Sequence, residues 1–302
     1  MTFSRLFIFL FTISVLSFAH SSYAADKVIE QPSLNMGLFV NSLPEVTRAD
    51  VDVAFNFWAE EIGKQEGITV MTQVYTDINA MRRDFDADQI NFIIASPLPL
   101  LNEFDREQLA EGYKVVWGSL AEDNLLVVTR KQSKLHDLIA LKNKQLSIVK
   151  NEPISAMYAD ILALDTFGLD AKQVFNKINY EPKSTRLVLN LFFKRTDVIL
   201  VYQQLYDLTC ELNPQIKRDT QVINVLPNLP RVLGYFHKRV NPEFRELVLT
   251  VVERLETHPR GQQLLALFQA DKVVRSNIAD LKSTEELQQR YLQLLDTKRK
   301  HQ

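Results

Sequence analysis

Hydroxyl side chains recur in this chain where an apolar run gives way to a helix signal. That arrangement holds an anion with hydroxyls and free helix N–H groups, without making or breaking bonds. Ser96 follows the run NFIIA and precedes Pro97, a residue suited to the first helical position. Ser184-Thr185 places two hydroxyls at one helix start, and Ser155 lies two residues after the helix-opening Pro153. Tyr75, Thr76 and Asp77 close a β-branched run, and Tyr202 stands after DVILV as an aromatic able to line a cleft. Each hydroxyl has a second use as an ordinary helix cap, worth about 1 kcal/mol, and the residue types do not choose between the two. Arg186 is within reach of the Ser184-Thr185 turn and could grip an anion bidentately, but it reads as a surface residue, as do Arg82 and Arg83. Trp58 and Trp117 read as core.

These residues need strand ends to carry them. The segment GITVMTQVYTDINAMRRDFDADQINFIIASPLPLL reads as strand, helix, strand, then a turn into a second helix. Met81 and Phe85 fall at helical spacing, and NFIIA is short and apolar enough for a strand buried on both faces. In open parallel sheets ligands bind at the carboxyl edge, which is where Ser96 falls. Around this unit, strands are expected at 35–40, 113–118, 125–130, 145–149, 197–201, 221–226 and 231–236. Helices are expected at 49–65, with Val53, Phe57 and Ile62 inward, and as a polar segment at 103–111. Others are expected at 153–163 with Gly168 as its cap, at 184–192, at 242–256, at 259–269 and at 284–296. The last is expected to pack on the first lobe, with docking to a partner as the alternative. The order divides into an α/β lobe over 25–126, a second over 127–230, and a return to the first over 231–302. Two connecting strands then act as a hinge, with the ligand cleft between the lobes.

Composition narrows the class. The net charge is −2 over 302 residues, too little for a basic field that would attract nucleic acid or a membrane surface. Arg5 followed by LFIFLFTISVLSF and by Ser22-Tyr23-Ala24 has the form of a cleavable export signal over residues 1–24. The lone Cys210 makes no internal disulfide and is expected to pack as a small apolar residue, which suits a Gram-negative periplasm. The five histidines are scattered, without metal-ligand spacing, and no CxxC, P-loop, GxSxG or dinucleotide fingerprint occurs. No cofactor, no metal and no enzymatic activity are expected.

With this order in view, the chain resembles the phosphonate/phosphite-binding family of periplasmic solute-binding proteins. The similarity runs from about residue 34 to 270 and rests on the order of segments. Its carriers are GLFV, TDINAMRRDFDADQINFIIASPLPLL, LLVVTRKQS, HDLIALKNKQLSIV, DVILVYQQLYDL and LPRVLGYFHKRV. The resemblance implies a two-lobed type II periplasmic binding protein fold, a small oxyanion clamped between the lobes, and delivery to an ABC-type permease. It also places Asn41 and Ser42 at the first cleft contacts. The alternative is a sensory subunit acting on a membrane-bound histidine kinase or diguanylate cyclase; either form is expected to be a monomer. The chain departs from the pattern at Asn151-Glu152-Pro153-Ile154-Ser155-Ala156. Phosphonate binders usually carry a hydroxyl-rich run there, and this chain keeps only Ser155 and adds a carboxylate. Asn124-Leu125 replaces the family's tyrosine at the first hinge strand.

Overall fold

Two separate sheets account for the strands. The computed structural model describes residues 33–43, 46–117, 122–257, 259–268 and 270–300, with 61, 62, 65 and 66 described in backbone only. The expected leader, the Ile62 side chain, and His20, His258 and His301 lie outside this description. The first half of the chain runs β1 (Ser33–Phe39), α1 (Arg48–Glu66), β2 (Thr69–Tyr75), α2 (Ile78–Asp86), β3 (Phe92–Ala95), α3 (Pro97–Glu103) and β4 (Leu109–Val116). The chain then builds β5 (Asp123–Arg130), β6 (Gln145–Val149), α4 (Pro153–Phe167), α5 (Ala171–Val174), β7 (Lys177–Glu181), α6 (Ser184–Phe192), β8 (Val198–Tyr202), α7 (Gln203–Leu212), α8 (Pro214–Asp219) and β9 (Thr220–Leu229). It closes with β10 (Leu233–His237), α9 (Pro242–Glu253), α10 (Pro259–Leu267), β11 (Lys272–Ser276) and α11 (Lys282–Lys300).

The first sheet has the order β11-β4-β10-β3-β1-β2 and the second β7-β6-β8-β5-β9. In the first, β1 runs parallel to both β2 and β3, so the β2-α2-β3 crossover steps over β1. In the second, β6 runs parallel to β7 and β8. Every residue of β3 is buried, as its unbroken apolar run requires of a parallel strand covered on both faces. Helix α2 starts at Asp77, whose side chain accepts the Asn79 amide, and buries Met81 and Phe85. Helix α4 opens on Pro153 and ends at Gly168, whose φ of 66° is the left-handed cap a glycine supplies cheaply. Strands β4 and β10 approach closely at two glycines. A Cβ on Gly112 would lie 2.0 Å from the Gly234 carbonyl oxygen, beside a bulge at Tyr235/Phe236. Cys210 is buried at the 4% level, as a small apolar residue would be.

Four expectations need correction. Helix α1 turns a different face inward: Val51, Phe55 and Trp58 are buried and Val53 is 69% exposed. The segment read as a polar helix at 103–111 instead ends α3, makes one 3-10 turn at Arg106–Gln108 and enters β4. Strand β11 and helix α8 were not anticipated. The C-terminal helix α11 does not simply pad the first sheet. Leu287 lies in the core of the second sheet, with Tyr291 and Leu294 packed against it. Tyr291 donates to Asp160 (3.2 Å), Lys298 pairs with Asp170 (2.6 Å), and Arg290 pairs with Asp165. Its other side bonds the first half, through Gln288 to Asn102 (2.7 Å) and Glu285 to Arg106 (2.9 Å).

Candidate functional site

The carboxyl ends of parallel strands from both sheets converge on one narrow waist. Ser42 follows β1, Ser96 follows β3, Asn151 and Glu152 follow β6, Ser184 follows β7, and Tyr202 ends β8. Together with Asn41, Ser155 and Arg231, these residues line a space of about 30 Å³, room for about one water molecule. On one side it widens into a cavity of about 310 Å³ that reaches Phe39, Pro99 and Tyr180. On the other it meets a cavity of about 370 Å³ bounded by Trp117, Asp50 and Leu267.

The hydroxyls and free amides at the waist are engaged with one another. The Ser96 amide donates to Ser42 Oγ (2.7 Å), and the Ser42 hydroxyl donates to Ser96 Oγ (3.1 Å). Across from them Glu152 caps α4: its carboxylate accepts the Ser155 amide at 2.6 Å and the Tyr202 hydroxyl at 3.3 Å. A chain carboxylate therefore sits where the free N–H groups of a helix start would otherwise meet a ligand anion. Burial pushes the Glu152 carboxyl above its ordinary range, although the Ser155 bonds, Tyr202 and Arg231 pull the other way. The Tyr202 phenol is pushed well up, first by burial and then by the charge of Glu152.

Arg231 is the cation of the waist. It lies on the short crossing between β9 and β10, with its guanidinium carbon 4.6 Å from the Trp117 ring centre and 4.9 Å from that of Tyr202. Its Nη1 is 3.7 Å from Asp123 Oδ2, beyond hydrogen-bond distance, and both atoms lack a hydrogen-bond partner. Asp123, at the start of β5, accepts the amides of Asn124 (2.8 Å) and Gln204 (3.3 Å) through its other oxygen. Burial raises its carboxyl, and Arg231 offsets part of that. Neighbouring side chains lace the two crossings together. Asn124 donates to Gln203 Oε1 (2.8 Å) and accepts the Asn228 amide (3.2 Å).

Six of the nine residues singled out in the sequence therefore line the waist: Asn41, Ser42, Ser96, Ser155, Ser184 and Tyr202. Tyr75, Thr76 and Thr185 are not among its lining. Strand β2 is the outer strand of its sheet, so its carboxyl end lies away from the waist; Thr76 is exposed, and Tyr75 donates to Asp84 at 2.6 Å. Thr185 follows Ser184 by about 100° of helical turn, so one is buried and the other faces solvent. Arg186 is exposed and pairs with Glu181 at 3.1 Å. Sequence reading passed over Arg231 and Asp123, and took Trp117 for core, whereas it lines the adjoining cavity. A lone arginine inside the apolar run Leu229-Pro230-Arg231-Val232-Leu233 was the available signal. Among the described residues no cluster of His, Cys, Asp and Glu could hold a metal ion, and no helix is long and apolar enough to cross a membrane.

Comparison with known proteins agrees with this architecture. Residues 41–281 match the family described as "ABC transporter, phosphonate, periplasmic substrate-binding protein". A binding-protein component of an ABC phosphonate transporter from Pseudomonas aeruginosa superposes with a TM-score of 0.63. It is 15% identical, over 89% of each chain. PhnD1 from Prochlorococcus marinus, in complex with methylphosphonate, has a TM-score of 0.60 at 16% identity, covering 84% of this chain and 96% of that one. A Xanthomonas citri protein bound to ATP has a TM-score of 0.62 at 12% identity, covering 87% and 98%. No protein of curated function matches the sequence. These likenesses establish the two-lobed type II periplasmic binding protein fold. The family binds solutes and is not enzymatic, and the chain belongs to it: the periplasmic substrate-binding proteins of phosphonate ABC transporters.

Proposed function

We propose that this protein captures a small ligand bearing a phosphonate-like oxyanion in the periplasm and presents it to an ABC-type permease. The mature chain begins after the export signal at residues 1–24 and works as a monomer. Its first lobe spans 25–126 and 231–302, its second 127–230, and the segments at Asp123–Asn124 and Leu229–Leu233 serve as the hinge. The observation that carries the reading is the convergence, from both sheets, of Ser42, Ser96, Ser155, Ser184 and Tyr202 on one space that Arg231 also lines. A ligand touching both lobes favours closure by its differential affinity for the closed state, which is the state a permease would read. Arg231 supplies a fixed positive charge in the wall of the waist. Tyr75, Thr76 and Thr185 are not part of the proposed seat. The sensory alternative has no observation in its favour.

The test is thermal unfolding of the mature protein against phosphate, phosphite, methylphosphonate, aminoalkylphosphonates, sulfonates and carboxylates. At 100 times its dissociation constant a ligand stabilises the folded state by about 2.7 kcal/mol, a shift of several degrees. A saturable shift with a phosphorus oxyanion, lost in Arg231→Gln and weakened in Ser184→Ala, supports the reading. A panel that shifts only with carboxylates or amines overturns the choice of head group.

A further inference from the structure

The waist is too narrow for the organic part of any ligand, yet the space beside it continues inward. Ser42, Leu205 and Arg231 are shared walls of the waist and of the 370 Å³ cavity. That volume falls within the roughly 300–1,000 Å³ of ordinary small-molecule pockets. Leu43, Trp117, Val232 and Phe268 are shared in turn with a pocket of about 70 Å³ inside the first core. The inner pocket is lined by apolar atoms. Trp58 Nε1 and Tyr113 Oη belong to residues 6% and 5% exposed, and neither atom has a hydrogen-bond partner. The two rings meet edge-on, with centres 5.5 Å apart. Neither polar atom opens onto the chamber, so what the chamber offers an occupant is apolar surface.

We propose that these two cavities form a second compartment of the binding site, which takes an apolar body of several carbons. The ligand is then an amphiphilic organic anion: its oxyanion lies at Arg231 and its alkyl or aryl part runs past Trp117. The placement of the head group rests on the function proposed above; the compartment does not. Trp117 forms the passage twice over. Its ring stacks against the Arg231 cation at one end, and its Nε1 donates to the Phe268 carbonyl (3.1 Å), which fixes the ring as a wall. Val53 and Leu267, apolar side chains 69% and 54% exposed, line the same cavity and gain a covering partner when it is filled.

Trp58 and Trp117 are the two tryptophans of the sequence, so emission from the whole protein reports on this compartment. The experiment is a fluorescence and calorimetric titration of the mature protein with methyl-, butyl-, octyl- and phenylphosphonate, and with octanol as a probe lacking the anion. Burial of each added methylene is worth about fourfold in affinity. The expected result is at least tenfold tighter binding of octyl- than of methylphosphonate, with a shift in tryptophan emission. In Val53→Phe, which narrows the cavity from an exposed position, that gain is lost. Equal affinity along the series with silent tryptophans overturns the compartment and leaves the head-group reading standing. Binding of octanol with an emission shift, and none by methylphosphonate, upholds the compartment and removes the head group from Arg231. If no probe moves the emission, the proposal is wrong.

Discussion

Glu152 accepts the backbone amide of Ser155 at 2.6 Å, so the first turn of α4 is capped by a carboxylate of its own chain. Burial nonetheless holds that carboxyl above its ordinary range. A carboxyl with a higher pKa folded than unfolded binds more protons in the folded state, so its contribution to stability is lost as pH rises through the folded value. The contribution is complete only below about pH 4, the ordinary range of the unfolded carboxyl. Glu152→Gln keeps the acceptor and removes the desolvated charge. Its thermal midpoint at neutral pH should rise by roughly 1–4 °C, and the gain should disappear toward about pH 4. A midpoint that falls at neutral pH would show that the charged form is the stabilised one.

The same carboxyl links ligand capture to protons. An oxyanion placed at Arg231 adds negative charge beside Glu152 and favours its protonated form further. Capture then takes up a proton, and affinity should rise as pH falls, by at most about tenfold per pH unit. Calorimetry in buffers of different ionisation enthalpy measures the uptake directly, and Glu152→Gln should abolish it.

Arg231 and Asp123 face each other in a poorly solvated place, with side chains 13% and 9% exposed. Removing one charge of such a pair leaves the other uncompensated, at a cost of about 3–5 kcal/mol. Arg231→Gln should therefore lower stability to denaturant substantially. Arg231→Gln combined with Asp123→Asn should recover more than half of that loss and leave ligand binding impaired. A double variant no more stable than the single one would mean that the contacts of Arg231 with Trp117 and Tyr202, and not the charge of Asp123, set the cost.

Gly112→Ala tests the register of the first sheet. Its Cβ would fall 2.0 Å from the Gly234 oxygen, and backbone there cannot step aside as a side-chain tip can. A loss of about 3 kcal/mol or more in urea unfolding is expected, toward the upper end of single-substitution effects.

Much of this architecture was legible in the sequence where local signals agreed. Helix α6 and strand β6 fall at the boundaries their patterns indicate, because Ser184 opens an amphipathic run and QLSIV is bounded by polar turns. The phase of α1 was not legible, since Phe55, Phe57 and Trp58 supply apolar surface around most of its girth and only tertiary packing leaves Val53 outside. The start of β4 was masked by the helix-forming residues Glu107, Gln108, Leu109 and Ala110. At the waist, a hydroxyl after a strand could be seen from the chain alone. Whether that strand is central, as for Ser96, or outermost, as for Thr76, depends on sheet order. Arg231 was hidden for a related reason: its partners Trp117, Tyr202 and Asp123 come from three other segments, and sequence distance conceals them.

Helix α11 changes the mechanics of the molecule. Two bodies joined by a pair of strands retain one free rotation, about the line through both joints. A third attachment away from that line removes it. Helix α11 supplies such an attachment: it leaves the first sheet after β11 and seats Leu287 and Tyr291 on the second lobe, while Glu285 and Gln288 bond back to Arg106 and Asn102. Any change in the angle between the lobes has to break the bonds on one side of this brace or bend the turn at Ile278–Leu281 that feeds it. The last nineteen described residues thus tie the two sheets together at a point away from the waist.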